Sequence, residues 1–356
     1  MKSGRPAGSR FFFALKGLVM VLVPGIAQWV RWGLLVALLG FGNPELRAEE
    51  RRPFRPVEQA VWRGNGISYG PYRDGQRPGG GEPTQAQIAE DLELLVADGW
   101  QMIRLYGTEP FARKTCELVR DKKLPISIMV GAWVATEQDN DDQRVSNLGQ
   151  VERAIELANE FPEVVCSVCV SNESQVSWSF HKVQPATLIG YIQKTRSAVK
   201  QPVTVADDFM YWTTPESRAV AAEIDFIVTH CYALWHGRPL SEALAFTKEK
   251  FAAVRKQHPD HLIVLGECGW ATDKPVIGEQ AERVKGSVGE PEQAEFLKVY
   301  LDWVRSHRIP YFYFEAFDEN WKGGEKPRDV EKHWGLFRAD RSRKQAIADG
   351  SPLRKN

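Results

Sequence analysis

The sequence predicts an α/β protein built as a single (β/α)8 barrel, and three observations carry that expectation. Short apolar runs alternate with helical spacing along the chain until eight strands can be counted. No dinucleotide-type glycine fingerprint follows the first of them, which argues against a doubly wound sheet. Polar and ionisable residues gather where the runs end, which is where a barrel keeps its chemistry.

The elements follow in order. Gly66–Gly70 reads as a short strand, and Thr84 then caps a helix with Gln87 in the capping-box position and Ile88, Leu92 and Leu95 on one face. Gly99 stops that helix. Met102–Tyr106 is the second strand, followed by a helix over Phe111–Lys122, and Ile126–Val134 is the third strand. Helical spacing returns at Val151, Ile155 and Ala158, before a fourth strand, Val164–Val170, that runs into Ser171, Asn172 and Glu173. A helix near Pro185–Val199 leads to strand Val203–Ala206, and a short helix begins around Pro215. Phe226–Leu234 is the sixth strand, with a helix over Glu242–Gln257 behind it, and Leu262–Gly266 is the seventh. Pro291 opens a helix carrying Leu297, Leu301 and Val304, and the eighth strand is Tyr311–Phe317.

Ahead of this pattern stands a segment of another kind. Lys2, Arg5 and Arg10 precede an apolar region from Phe11 to Phe41, broken by Lys16, Pro24 and Arg31. The uninterrupted part, Gly33–Phe41, is too short to span a bilayer, and Ala48 offers a small residue at a cleavage site. Residues 1–48 are therefore expected to be a signal peptide, with an uncleaved membrane anchor over residues 11–41 as the alternative; either way the folded part is exported. Residues 49–63 read as a linker, 64–350 as the barrel and 351–356 as a tail.

Lys plus Arg and Asp plus Glu balance at 46 each, so composition gives no electrostatic case for nucleic acid and points to a neutral substrate. Of the five cysteines, Cys166 and Cys169 share a C-x-x-C spacing, but within a strand, where residues three apart face opposite ways. A shared metal or disulfide is awkward there, and all five, with Cys116, Cys231 and Cys268, are expected to be unpaired core thiols. His230 and His236 form no convincing metal set either, and His230, inside a strand, reads as a hydrogen-bonded core residue. No cofactor or metal is called for.

At the predicted strand ends stand Tyr69, Arg104, Asn172 with Glu173, Asp207 with Asp208, Tyr232, Glu267 and the run Glu315 to Glu319. Two glutamates across a barrel mouth suit glycoside chemistry, one protonating the departing oxygen while the other attacks the anomeric carbon. Trp133, Trp178, Trp212, Trp235, Trp270, Trp321 and Trp334 lie in or near loops after strands, where indoles can stack on sugar faces; about half are expected to do so and the rest to pack.

Asn172-Glu173, the run Gly266 to Trp270 and the run Phe314 to Lys322 resemble the three signatures of glycoside hydrolase family 17, the β-1,3-glucanase family. The runs Gly66–Gln76 and Val203–Asp208 look like its bacterial members, and the resemblance covers about Gly64 to Phe337. It implies a retaining enzyme on β-1,3-glucan, with Glu173 as acid/base and Glu267 as nucleophile, and hydrolysis or transglycosylation as the outcome. It also brings Glu315, Glu319 and Lys322 close to the pair, where an ammonium would help keep the nucleophile ionised. Asn172 would bind the sugar 2-hydroxyl, and Tyr69, Arg104, Asp207, Tyr232, Trp235 and Trp270 would complete the substrate site. Ser171 and Cys268 depart from the glycine and threonine usual at those positions. A catalytically silent glucan-binding barrel is the less favoured reading, because such a protein would normally have lost one of the two carboxylates.

Overall fold

The computed structural model describes residues 53–57, 62, 64–348 and 353. The expected leader or anchor, most of the expected linker and most of the tail lie outside the described residues. Among the described residues no helix is long and apolar enough to cross a membrane.

Eight parallel strands form one sheet: β1 (Gly66–Ser68), β2 (Met102–Arg104), β3 (Ser127–Ala132), β4 (Val165–Asn172), β5 (Val203–Asp208), β6 (Phe226–His230), β7 (Ile263–Glu267) and β8 (Phe312–Tyr313). Their order is β7-β6-β5-β4-β3-β2-β1-β8, and a parallel bridge from Leu265 to Tyr311 joins the two ends, which closes the barrel. The strands are buried on both faces, as their unbroken apolar runs require.

The helices are α1 (Gln85–Ala97), α2 (Pro110–Asp121), α3 (Asp141–Glu160), α4 (Pro185–Ala198), the short α5 (Phe209–Trp212) and α6 (Ser217–Ala221), α7 (Leu240–Gln257), α8 (Glu279–Arg283), α9 (Glu290–Ser306) and α10 (Gln345–Ala348). Their starts are local chemistry. The Thr84–Gln87 capping box of α1 is formed in both directions, Asn140 caps α3 through the Gln143 N–H, and α2, α4 and α9 carry proline in the first turn, where a missing N–H costs nothing. The chain before α9 adds a further short helix, α8, that the sequence pattern does not show.

Inside the barrel Met102, Met129, Cys169, Ala206, Phe226, Val228, Val264 and Phe312 form a closed apolar plug. Trp62 seals the bottom, edge-on to Phe312 and Phe226 at 5.2 and 6.1 Å. Above the plug the inward-facing positions turn polar, which leaves the chemistry at the carboxyl ends of the strands.

All eight strand bounds shift from expectation, and three of the shifts shape the site or the core. β6 stops at His230, because the chain turns over Ala233–Gly237, with Gly237 at φ 66°. β8 has only two ladder residues, although the Phe314 N–H still reaches the Cys268 carbonyl and the Ala316 N–H the Ser68 carbonyl. β4 extends through Asn172 and is bulged against β3, since Ile128 pairs with Val165 but Met129 with Ser167. That extra residue is Cys166. It breaks the alternation on which the cysteine argument rested, and Cys166 and Cys169 both pack against the interior plug. Cys116, Cys169, Cys231 and Cys268 are buried thiols without a disulfide, while Cys166 is only half-buried and its thiol points at the Ile128 carbonyl.

Candidate active site

Two bulges aim the two glutamates. In β7, Leu265 pairs with Thr229 but Glu267 pairs with His230, so Gly266 is the extra residue and Glu267 turns into the barrel mouth. Gly266 must be glycine, because a Cβ there would come within 2.1 Å of Val228 Cγ1 and 3.2 Å of His230 Cδ2. In β4 the register slips between Cys169 and Asn172, and Ser171 and Glu173 both take positive φ, 81° and 47°. Left-handed backbone at a non-glycine residue costs about 1–3 kcal/mol and concentrates at functional sites. At Ser171 it supplies the physical reason a glycine would be favoured before Asn172.

Glu267 is 4% exposed and held from three sides. Its Oε1 accepts from Arg104 Nη1 at 2.8 Å and lies 2.9 Å from the Tyr106 hydroxyl, while Oε2 accepts from the Tyr232 hydroxyl at 2.5 Å. Burial alone would raise its pKa; the Arg104 guanidinium and the two phenols outweigh burial and hold the carboxyl below its ordinary value. Glu173 is treated oppositely. Its Oε1 meets only His230 Nδ1, at 2.8 Å, and burial together with the negative charge of Glu267 pushes its pKa well up. An oxygen of each carboxylate lies within 4.8 Å of the other and of a His230 nitrogen. One glutamate is thus kept ionised and its neighbour kept protonated, the division of roles that acid and nucleophile require.

Glu173, His230 and Glu267 also have the spacing of a metal-ligand set. The donor set does not suit one, because the Arg104 guanidinium already lies 2.8 Å from Glu267 and 3.1 Å from His230 Nε2, and a metal would place a second cation against it.

Around the pair opens a cleft of about 720 Å3, walled by Trp133, Trp178 and Phe180 from the loops after β3 and β4, Trp235 and Arg283 after β6 and β7, and Trp321 after β8.

The family described as the BtgE/BtgC glycoside hydrolase domain matches residues 66–335, which is nearly all of the barrel. The chain belongs to this family of glycoside hydrolases. The resemblance drawn from the three motifs is borne out, although nothing here bears on a bacterial branch. The barrel is similar to a glucan 1,3-beta-glucosidase of Arthroderma benhamiae, 24% identical over 76% of this chain and 86% of that one. It is also similar to a probable glucan endo-1,3-beta-glucosidase, btgC, of Aspergillus clavatus, 24% identical over 74% of this chain and 39% of that one. The chain therefore spans only about two fifths of the second relative. Among solved structures, an endo-laminarinase from Formosa Hel1_33_131 superposes with a TM-score of 0.71 at 24% identity, over 80% of this chain and 86% of that one. A family 17 β-1,3-glucanosyltransferase from Rhizomucor miehei does so at 0.64 and 22%, over 80% and 97%. At these identities the structures speak for the fold.

In this glycoside hydrolase the remaining expected residues divide sharply. Asn172 is at the mouth, its Oδ1 taken by Arg104 Nη2 at 2.5 Å. Arg104 is 1% exposed and stands behind the carboxylates rather than in the cleft. It, and not Lys322, is the cation against Glu267. Lys322 is engaged by Glu315 and by Glu319 at 2.7 Å, and the Trp321 indole N–H donates to Glu319 at 3.0 Å. Glu315, 1% exposed, lies behind that lysine, while Glu319 and Lys322 line the cleft. Tyr69 lines the cleft with its ring only, since its hydroxyl donates to Asp91 at 3.1 Å in a buried cluster with Arg341 and Arg73.

Two expected substrate residues are displaced. Asp207 is fully buried and accepts the backbone N–H groups of Gln175, Val176 and Asp208, so it fastens the loop after β4 instead of facing the cleft. Its neighbour Asp208 lines the cleft, with a pKa raised by burial to about 7. Trp270 is also fully buried; its ring packs on Phe296 at 5.6 Å and its N–H donates to the Ser287 carbonyl at 3.0 Å. Trp212 and Trp334 are buried likewise, which leaves Trp133, Trp178, Trp235 and Trp321 on the cleft.

Among the cleft groups that sequence reading missed are Tyr106, Glu331 and Phe180. Tyr106 stands two residues beyond Arg104, on the same strand face, and that period was the available signal. Glu331, raised by burial to about 7, sits on a single 3-10 turn over Val330–Lys332, and Phe180, 99% exposed, on a loop, both too short to carry a periodicity.

Proposed function

We propose that this glycoside hydrolase cleaves β-1,3-glucan with retention of configuration, Glu173 acting as acid/base and Glu267 as nucleophile. The observation that carries the proposal is the pair itself: two carboxylates with oxygens within 4.8 Å, one pushed toward the acid and one toward the carboxylate form. A retaining pair stands about 5–5.5 Å apart, whereas an inverting pair needs about 6.5–9.5 Å to admit water. Glu267 attacks the anomeric carbon as Glu173 passes its proton to the departing oxygen; Glu173, now ionised, then takes a proton from the incoming hydroxyl as that oxygen attacks the anomeric carbon and the bond to Glu267 breaks, releasing its carboxylate. Asn172, with its carbonyl oxygen held by Arg104, turns its amide N–H groups to the 2-hydroxyl. The β-1,3-linkage rests on the names of the relatives. Export rests on the N-terminal apolar segment.

Transfer of the glycosyl group to a second glucan is the alternative outcome, and the aromatic rings on the cleft wall, Trp178 and Phe180, 46% and 99% exposed, with the half-buried Trp235, favour it as a platform for an acceptor. The test is incubation with a linear β-1,3-gluco-oligosaccharide, resolving products by size and following the first-formed anomer by NMR. Shorter β-anomeric products mean retaining hydrolysis, and products longer than the substrate mean transfer. An α-anomer would overturn the mechanism, and an untouched substrate would overturn the linkage.

A further inference from the structure

His230 has no part in the two-carboxylate scheme, yet it is the residue that touches both carboxylates. It is fully buried at the end of β6, with Nδ1 2.8 Å from Glu173 Oε1 and Nε2 3.3 Å from Glu267 Oε1 and 3.1 Å from Arg104 Nη1. No sugar can reach it, so it acts through its neighbours. Its tautomer follows from the donor inventory. Nε2 lies between a donor, Arg104 Nη1 at 3.1 Å, and an acceptor, Glu267 Oε1 at 3.3 Å, and Nη1 is shared with Glu267 Oε1 and the Gly266 carbonyl. A guanidinium has N–H groups and no lone pair to offer, so the shorter contact makes Nε2 the acceptor and puts the single proton of a neutral ring on Nδ1, pointing at Glu173.

We propose that His230 is a positioning residue, a neutral ring that relays the Arg104 guanidinium to Glu173 through the chain Arg104 Nη1–H to His230 Nε2, and His230 Nδ1–H to Glu173 Oε1. The proposal rests on Glu173 being the acid/base. One buried cation thereby serves two carboxylates unequally. Glu267 receives the charge directly, with two phenols; Glu173 receives one hydrogen bond from a neutral donor. That bond is strong enough to hold the carboxyl in place and to stabilise it once it has given up its proton, but too weak to ionise it beforehand. Burial and Arg104 keep the ring neutral, with a pKa lowered to about 4 against the opposing pull of Glu267 and Asp208. Gly266 belongs to the same device, since a Cβ there would collide with Val228 at 2.1 Å and press on the ring at 3.2 Å.

The charges that face Glu173 from the surrounding elements are Glu267 on β7, Glu331 after β8, Arg104 on β2, and Asp207 and Asp208 on β5. None of them donates a hydrogen bond to it, so loss of His230 removes a stabiliser of its ionised form that nothing else replaces. In His230→Phe the basic limb of the pH profile of kcat/KM moves up by about one pH unit, the size of a lost charge-assisted hydrogen bond. On an aryl glycoside with a good leaving group, kcat and KM fall together, because the Glu173 carboxylate that activates water is no longer aimed and the glycosyl-enzyme accumulates. His230→Asn keeps an N–H at the Nδ1 position and returns the basic limb to the wild-type pH. Variants that lose rate equally with no shift of the limb would reduce His230 to packing. The tautomer is read directly in full-length protein labelled with 15N-histidine: the expected His230 spectrum at neutral pH has a protonated Nδ1 and a bare Nε2. The opposite tautomer or an imidazolium overturns the proposal. This readout needs no substrate, so a protein inactive on β-1,3-glucan would count against the proposed function while leaving the relay to be judged by the spectrum.

Discussion

Replacing Arg104 with methionine tests whether one buried cation sets the charge state of the site. Methionine fills the space of the aliphatic stem but leaves Glu267, 4% exposed, without its ion pair at 2.8 Å. Removing one partner of a buried pair costs about 3–5 kcal/mol. For a domain of this size that corresponds to a fall in Tm on the order of 10 °C. The pH dependence separates the charge effect from lost packing. In the wild type the folded carboxyl of Glu267 stands below its ordinary value, so its contribution to stability is present at neutral pH and is lost as pH falls through that depressed value. In Arg104→Met burial dominates, the folded pKa rises above the unfolded one, and the penalty is present at neutral pH and relieved as the group protonates. Urea unfolding followed by tryptophan fluorescence should therefore show a gap between wild type and variant that is wide at pH 7 and narrows near pH ~4.5, close to the ordinary glutamate value. The acidic limb of kcat/KM should move to higher pH in the same variant. A gap under about 1 kcal/mol at pH 7, or one of equal size at both pH values, would refute the assignment.

The same geometry makes further predictions. Glu267→Ala should lose nearly all turnover while still binding glucan in calorimetry, and azide should restore part of the rate with a product of inverted configuration. Glu173→Ala should be crippled on glucan but much less so on substrates whose leaving group needs no proton; equal losses on both would remove it as the acid. Trp270→Ala should cost about 3–5 kcal/mol in denaturant unfolding because the ring is core, while KM for oligosaccharide stays within about twofold. Trp235, half-buried on the cleft with Arg283 5.5 Å over its ring, should act on partitioning: in Trp235→Ala the ratio of transfer to hydrolysis falls at high oligosaccharide concentration, and an unchanged ratio would place the acceptor elsewhere.

Much of this was legible in the chain itself. The alternation of apolar strands and capped helices is local, so the barrel could be read from it. Glu267 ends an apolar run and Glu173 follows one within three residues, so their place at the mouth could be read too. What local pattern does not carry is parity beyond a bulge. Cys166 and Gly266 are each one extra residue, and each reverses which side chains of its strand face inward. On β5, which has no bulge, alternation holds: Ala206 is in the interior plug and Asp208, two residues on, faces the cleft, while Asp207 turns away and is tied to three backbone N–H groups. The tryptophans present a similar limit: an indole after a strand has the same composition whether its loop folds it outward, as with Trp178, or under the next helix, as with Trp270. Barrel closure sets Arg104 of β2 against Glu267 of β7, and the sheet order sets His230 of β6 between Glu267 and Glu173, the residue just past β4. Those partners are 163, 57 and 37 positions apart along the chain, distances at which periodicity is silent, and the charge of each carboxylate is decided by the cations and donors that the closed ring brings to it.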